Sequence, residues 1–165
     1  ILFDITPPSD FVIDSVYSSG GNVMRAFWNA SNNSIIIKTP ISNNDESLIG
    51  GSFQPLVKID DGGYVDFGNV IEIVEISETG YEFLEISRSV FESINDYQEN
   101  SSAEFTTKIT DKAGNETQGE SDGTIIHIDE ISPTLDSVSI STNNVLSDNW
   151  ATLSDSILLT FTSSE

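Results

Sequence analysis

Phe53-Gln54-Pro55-Leu56-Val57-Lys58-Ile59, followed at once by Asp60-Asp61-Gly62-Gly63, is the stretch from which the fold class is read. The first seven residues have strand length, and the Asp-Gly cluster behind them is a strong hairpin signal. The same alternation of short runs and turn clusters extends outward in both directions. Downstream, residues 70–76 and 81–86 are acidic strand-like runs joined across Glu78-Thr79-Gly80, and residues 105–110 and 124–128 form a further pair. Upstream, residues 11–17 follow Pro7-Pro8. Gly20-Gly21-Asn22 makes a turn before residues 23–28, and a polar turn over 29–34 precedes Ile35-Ile36-Ile37, which Pro40 ends. Asn43-Asn44-Asp45 and Gly50-Gly51 mark a loop. Short strands at this spacing predict an antiparallel β-sandwich over residues 11–129.

Composition points the same way. The 165 residues hold 21 Ile and 10 Val against 9 Leu and 5 Ala, and β-branched side chains suit a pleated sheet better than a helix. Ile35, Ile37, Val57, Ile59, Ile73, Phe105, Ile109, Ile126 and Ile128 are the expected core. One segment departs from the strand pattern. Val90, Phe91, Ile94 and Tyr97 recur at helical spacing, and Ser89 with Glu92 has the form of a capping box. A short helical crossover is therefore expected over residues 89–98.

The net charge of −21, from 27 acidic and 6 basic residues, excludes nucleic acid as a partner, because phosphate contacts need clustered Lys and Arg. It argues equally against docking on anionic membranes. Cys is absent and His127 is the single histidine. There is thus no disulfide framework, no Cys nucleophile and no His-rich zinc site. No run reaches the ~20 apolar residues of a membrane span, so no membrane insertion is expected. Ile1 follows no basic-then-apolar leader, and the chain is expected to be a piece of something longer.

The chain also repeats itself. Phe3-Asp4 with Pro8 matches Ile128-Asp129 with Pro133, and Asp14-Ser15-Val16 matches Asp136-Ser137-Val138. A repeat of this length is a bead-like domain and not a solenoid turn. Two domains are expected: residues 1–131, and residues 132–165 as the N-terminal part of a second, incomplete one.

The stretch Ile109-Thr110-Asp111-Lys112-Ala113-Gly114-Asn115-Glu116-Thr117 resembles the T-D-x-A-G-N-x-T hairpin of bacterial Ig-like tandem repeat domains from large surface or secreted adhesin-type proteins. Residues 151–165 resemble the second strand of another such domain, with Ser154 where glycine is common. Between about Val23 and Asn100 only the strand pattern supports the likeness. The resemblance implies an all-β, Ig-like antiparallel β-sandwich with a short helical crossover, followed by the first strands of another Ig-like domain. It also implies a structural spacer or stalk repeat on a bacterial cell surface or in a secreted, extracellular protein. Its partners would be neighbouring Ig-like domains of the same polypeptide or assembly. Without the family, the hairpin still reads as a well-made turn: Asp111 and Asn115 can bond nearby backbone, and Gly114 supplies a positive φ.

In an Ig-like topology Asp4 and Asp111 meet at the N-terminal pole with Asn115 close by, and Asp129 leaves from the other pole toward the next domain. Carboxylates converging on a joint repel unless a cation intervenes, and calcium tolerates irregular oxygen geometry. The resemblance therefore implies calcium as a structural cofactor held by Asp4, Asp111, Asn115 and Asp129. The plainer reading is that Asp4 and Asp129 solvate linkers and Asp111 caps its turn.

Nothing singles out a catalytic pair, and no enzyme is expected. Glu72, Glu75, Glu82 and Glu85 fall on strand-like segments, but glycoside hydrolysis needs a cleft and one raised pKa. His127 lies between Ile126 and Ile128, which alternation turns to the opposite face. Asp60-Asp61-Gly62-Gly63-Tyr64-Val65-Asp66 lacks the alternating Asp and terminal Glu of an EF-hand loop. Asn29, Asn32, Asn100 and Asn115 fit the glycosylation pattern, as chance allows in a chain this rich in Asn and Ser. Trp28, Tyr64, Tyr81, Tyr97 and Trp150 could form a sugar-stacking platform, although core packing is the commoner fate of isolated aromatics. The alternatives to a spacer are thus a module binding a surface glycan or receptor, or an accessory domain of a secreted hydrolase. An exposed aromatic row on one sheet would favour the binding module.

Overall fold

The computed structural model describes residues 3–146 and 149–164. It divides into two compact units, Ile1–Glu130 and Ile131–Glu165. The first holds β1 (Ser15–Ser19), β2 (Phe27–Trp28), β3 (Ser34–Pro40), β4 (Ser52–Ile59), β5 (Val65–Asp66), β6 (Ile71–Glu72), β7 (Tyr81–Ser87), α1 (Arg88–Phe91), β8 (Ser102–Thr110), β9 (Glu116–Gln118) and β10 (Ile125–Ile128). The second holds β11 (Leu135–Thr142) and β12 (Ile157–Ser163). The chain is nearly all β, in several sheets that are antiparallel almost throughout.

Two sheets build the first unit. One has three strands in the order β1-β3-β7, and the other runs β2-β10-β8-β4-β5 with β6 on β4 and β9 on β8. Among the named strands of the described residues only the short β2 pairs in parallel, with β10. Period-2 alternation decides which side chains turn inward. On β3, Ile35, Ile37 and Thr39 are buried, and on β7 Leu84 and Ile86. The middle strands β4 and β8 are buried almost continuously, as strands covered on both sides should be. Their inner side chains Val57, Phe105 and Ile109 join one core with Ile126 and Ile128 of β10. The Thr39 and Thr107 hydroxyls hydrogen-bond at 2.9 Å inside that core, joining β3 to β8. Among the described residues no buried side-chain polar atom lacks a partner, so the bond between these threonines offsets the cost of burying their hydroxyls.

The expected core is found: all its members are buried except Ile59, which is half-buried at the rim. Some elements are shorter than expected. Residues 70–76 contribute only Ile71–Glu72, and residues 23–28 only Phe27–Trp28. The crossover is a single helical turn, Arg88–Phe91, followed by consecutive tight turns. Ser87 holds the cap position without a capping side-chain bond, and the Ser89 hydroxyl pairs with that of Ser87. Asp96 and Asn100 have φ of 68° and 66°, a left-handed geometry that ends a helix. Helical spacing nonetheless picked the inward side chains: Phe91 is fully buried, with Val90, Ile94 and Tyr97 packed on the core.

Candidate functional site

The chain enters and leaves the first unit at opposite ends, and side chains hold it at both. At the entering end, the Asp111–Asn115 turn is held almost wholly by its own groups. Asp111 Oδ1 accepts the N–H of Ala113 (2.8 Å) and of Asn115 (2.9 Å), and Oδ2 accepts Asn115 Nδ2 (2.8 Å). Gly114 takes φ 93° where the chain reverses, which a Cβ would strain. Burial raises the Asp111 pKa, but the Asn115 side chain and the backbone N–H groups outweigh it and hold the carboxylate below its ordinary value. The same Asn115 Nδ2 reaches the Asp4 carbonyl at 3.3 Å, and Thr117 Oγ1 donates to the Pro8 carbonyl at 2.5 Å. Further in, Glu120 N–H bonds Phe11 O and Ile13 N–H bonds Glu120 O, with Val12 bridged to Glu120 in parallel. A Cβ on Gly119 would lie 2.2 Å from the Phe11 ring, so any larger residue there would force that ring to move.

At the leaving end the decisive residue is Glu130. Its Oε1 meets Arg88 Nη1 at 2.5 Å, its Oε2 accepts the Tyr97 hydroxyl at 2.7 Å, and its N–H donates to Glu99 Oε2 at 2.9 Å. Tyr97 in turn accepts Trp28 Nε1–H at 2.9 Å. Arg88 also donates to the carbonyls of Asn29 and Asn32, pairs with Glu92, and stacks over Trp28 at 4.7 Å. Burial of the Tyr97 phenol, and then the Glu130 carboxylate beside it, push its pKa far above the ordinary tyrosine value. One buried aromatic cluster thus carries a polar clamp on the outgoing chain. The sequence reading did not find it; its only trace was the helical spacing that placed Tyr97 beside Phe91.

Of the proposed metal ligands, Asp4, Asp111 and Asn115 come together, whereas Asp129 does not. Asp129 follows β10, whose end lies beside the start of β8, while Asp111 follows the end of β8. Nine residues of strand, about 30 Å at ~3.3 Å per residue, separate the two positions. Three of the lone pairs on Asp111 already accept N–H groups, and Asp4 Oδ1 accepts Thr6 N–H. Among the described residues no three of His, Cys, Asp or Glu group closely enough to hold a metal ion.

The suspected carboxylate pairs separate. Glu72 lies on the larger sheet and Glu82 and Glu85 on the smaller one, where alternation sends the last two to opposite faces. His127 is exposed beside Phe27. The aromatic residues also divide: Trp28 is buried in the core, Tyr64 stacks with Lys58 on the larger sheet, and Tyr81 with Lys38 on the smaller. The outer face of the smaller sheet does gather Tyr17, Tyr81 and Phe83 around Lys38, which is paired with Asp14. No helix among the described residues is long and apolar enough to cross a membrane. Comparison with protein-family models, with curated proteins and with solved structures finds no match.

Proposed function

We propose that the first unit is an Ig-like, non-catalytic spacer or stalk repeat of a long bacterial cell-surface or secreted adhesin-like protein. The observation that carries this reading is the placement of its two chain ends. They leave from opposite poles of the sandwich, whereas the ends of most domains lie close together. A unit of this kind extends an array by its full length. The incoming strand also runs parallel to the segment at Glu120. Tension on the two ends pulls these neighbours in opposite directions, so their bonds are loaded together and not one after another. Single-molecule extension of the whole chain tests this. The first unit should open in one cooperative step releasing roughly 400 Å of chain, at a force that Thr117→Val lowers. Gradual unravelling without a distinct step would sink the reading.

Calcium belongs to the same proposal at joints between repeats. Asp4 and Asp111 at one pole would be completed by the counterpart of Asp129 from a neighbour. The residues after Ile131 contain no second copy of the 109–117 hairpin, so the test needs two complete repeats in one chain. Millimolar calcium should raise its melting temperature, and Asp111→Ala should abolish the rise. No rise would remove calcium from the reading.

A binding module is the second reading, favoured by Tyr17, Tyr81 and Phe83 around Lys38, since exposed rings on one sheet face suit stacking on sugars. Screening the chain and Phe83→Ala against a glycan panel tests it. Binding that the variant loses supports a module, and no binding leaves the spacer.

A further inference from the structure

The second unit carries an apolar surface with a counterpart inside the first. The sequence repeat aligns Asp136-Ser137-Val138 with Asp14-Ser15-Val16, and strand register extends the match in a way the sequence alone does not show. In the first unit Val16 faces Ile37 and Ser18 faces Ile35. In the second, Val138 faces Phe161 and Ile140 faces Leu159. The β11–β12 pair thus matches the β1–β3 pair, the strands being joined across residues 143–156 in one and 20–33 in the other, where the connection also carries β2. Alternation puts Val138, Ile140, Ile157, Leu159 and Phe161, with Thr142, on one face, and Ser137, Ser139, Ser141, Thr160 and Thr162, with Leu158, on the other.

The two copies differ in what lies against that face. Val16, Ile35 and Ile37 are buried in the core with Val57 and Phe105 of the larger sheet, and β3 gives its other edge to β7. Val138, Ile140, Leu159 and Phe161 are each about 60–70% exposed, and among the described residues β12 pairs only with β11. A lone two-stranded hairpin is marginal in water, and an exposed apolar strand edge recruits a partner.

We propose that the apolar face of β11–β12 is a docking surface for a sheet built like β4–β8–β10, with a strand like β7 added antiparallel to β12. That sheet belongs to a further repeat segment and not to a second copy of the hairpin. The area decides between the two. Two strands of about eight residues present a face of roughly 26 by 10 Å. That is about a third of the ~800 Å² that each partner buries in a stable interface. Two hairpins stacked on each other bury little more than that face, whereas a larger sheet with an edge strand also pairs the open edge of β12, as the larger sheet and β7 do for β3 in the first unit.

This inference rests on the repeat reading above, but its test is independent of tension and calcium. The 165-residue chain is compared with the same chain extended after Glu165 by a copy of its own residues 43–130. Amide hydrogen exchange is followed within 135–142 and 157–163. Extension should slow exchange there by about a hundredfold or more. Phe161→Asp in the extended chain should restore fast exchange while residues 15–128 stay protected, which serves as the folding control. Unchanged hairpin exchange on extension would overturn the proposal. So would protection in the unextended chain that grows with protein concentration, because a second copy would then be the occupant. Either result leaves the spacer reading of the first unit standing.

Discussion

Asp111 is a charged residue only 3% exposed, and its tolerance rests on three N–H groups aimed at its two oxygens. Removing the carboxylate leaves those donors short of an acceptor. Asp111→Ala should therefore cost about 1–3 kcal/mol, read by denaturant unfolding at neutral pH. The pH dependence has a definite sign. A carboxylate with its folded pKa below the unfolded value of about 3.9 contributes stability that is present above that value. The contribution is lost as pH falls through the folded pKa. The gap between wild type and variant should accordingly narrow below about pH 4; a gap constant down to acid unfolding would contradict the assignment. Asn115 has a second task that local turn chemistry does not require, since its amide also reaches the Asp4 carbonyl, 111 positions away.

Among the elements, α1 and the turns after it matter less as a helix than as a frame. They carry Arg88, Phe91 and Tyr97 to one place, where Phe91 packs edge-on against Trp28 and Tyr97. The polar rim of that cluster then grips Glu130. Tyr97 reports on the grip directly. Its raised pKa comes first from burial and then from Glu130, so Glu130→Gln should shift the Tyr97 titration to lower pH while leaving the burial contribution. Absorbance at alkaline pH measures the shift, and an unmoved titration would show that the carboxylate does not face the phenol in solution. The folded-state pKa lies above the unfolded value of about 10. The stability this gives is therefore full below about pH 10 and is lost as pH rises through the folded pKa.

At the scale of the whole molecule the two units differ in how they hold together. The first buries one continuous core between two sheets. The second exposes most of its large side chains, Trp150 and Leu153 among them. Limited proteolysis should reflect this, with early cuts after residue 131 and a fragment ending near Glu130 that persists. Persistence of the intact chain at low concentration under the same protease would show that the hairpin is covered after all. The long-range pairing of the first unit also makes it a slow folder relative to helical domains of its size, since loop closure precedes most of its contacts.

The fold class, the inward positions and the Asp111–Asn115 turn were legible in the sequence because each depends on near neighbours. Alternation marked Ile35 and Ile37 on one strand and Ile126 and Ile128 on another. Turn residues marked where strands end, and a repeated Asp-Ser-Val marked the second unit. Pairing was not legible, because it joins residues that the chain keeps apart. Glu130 meets Arg88 across 42 positions and Trp28 meets Tyr97 across 69; neither side chain is unusual in its own neighbourhood. The short extent of β2 and β6 was hidden as well. Strand propensity runs on through residues 23–28 and 70–76, but in the first of these a turn from Met24 to Phe27 with Ala26 at φ 63° confines the ladder to Phe27–Trp28. The opposite placement of Asp111 and Asp129, by contrast, was already expected from the Ig-like resemblance, and the antiparallel pairing of β10 with β8 agrees with it. Only the folded chain turned a pattern of strands into a unit gripped at both of its ends.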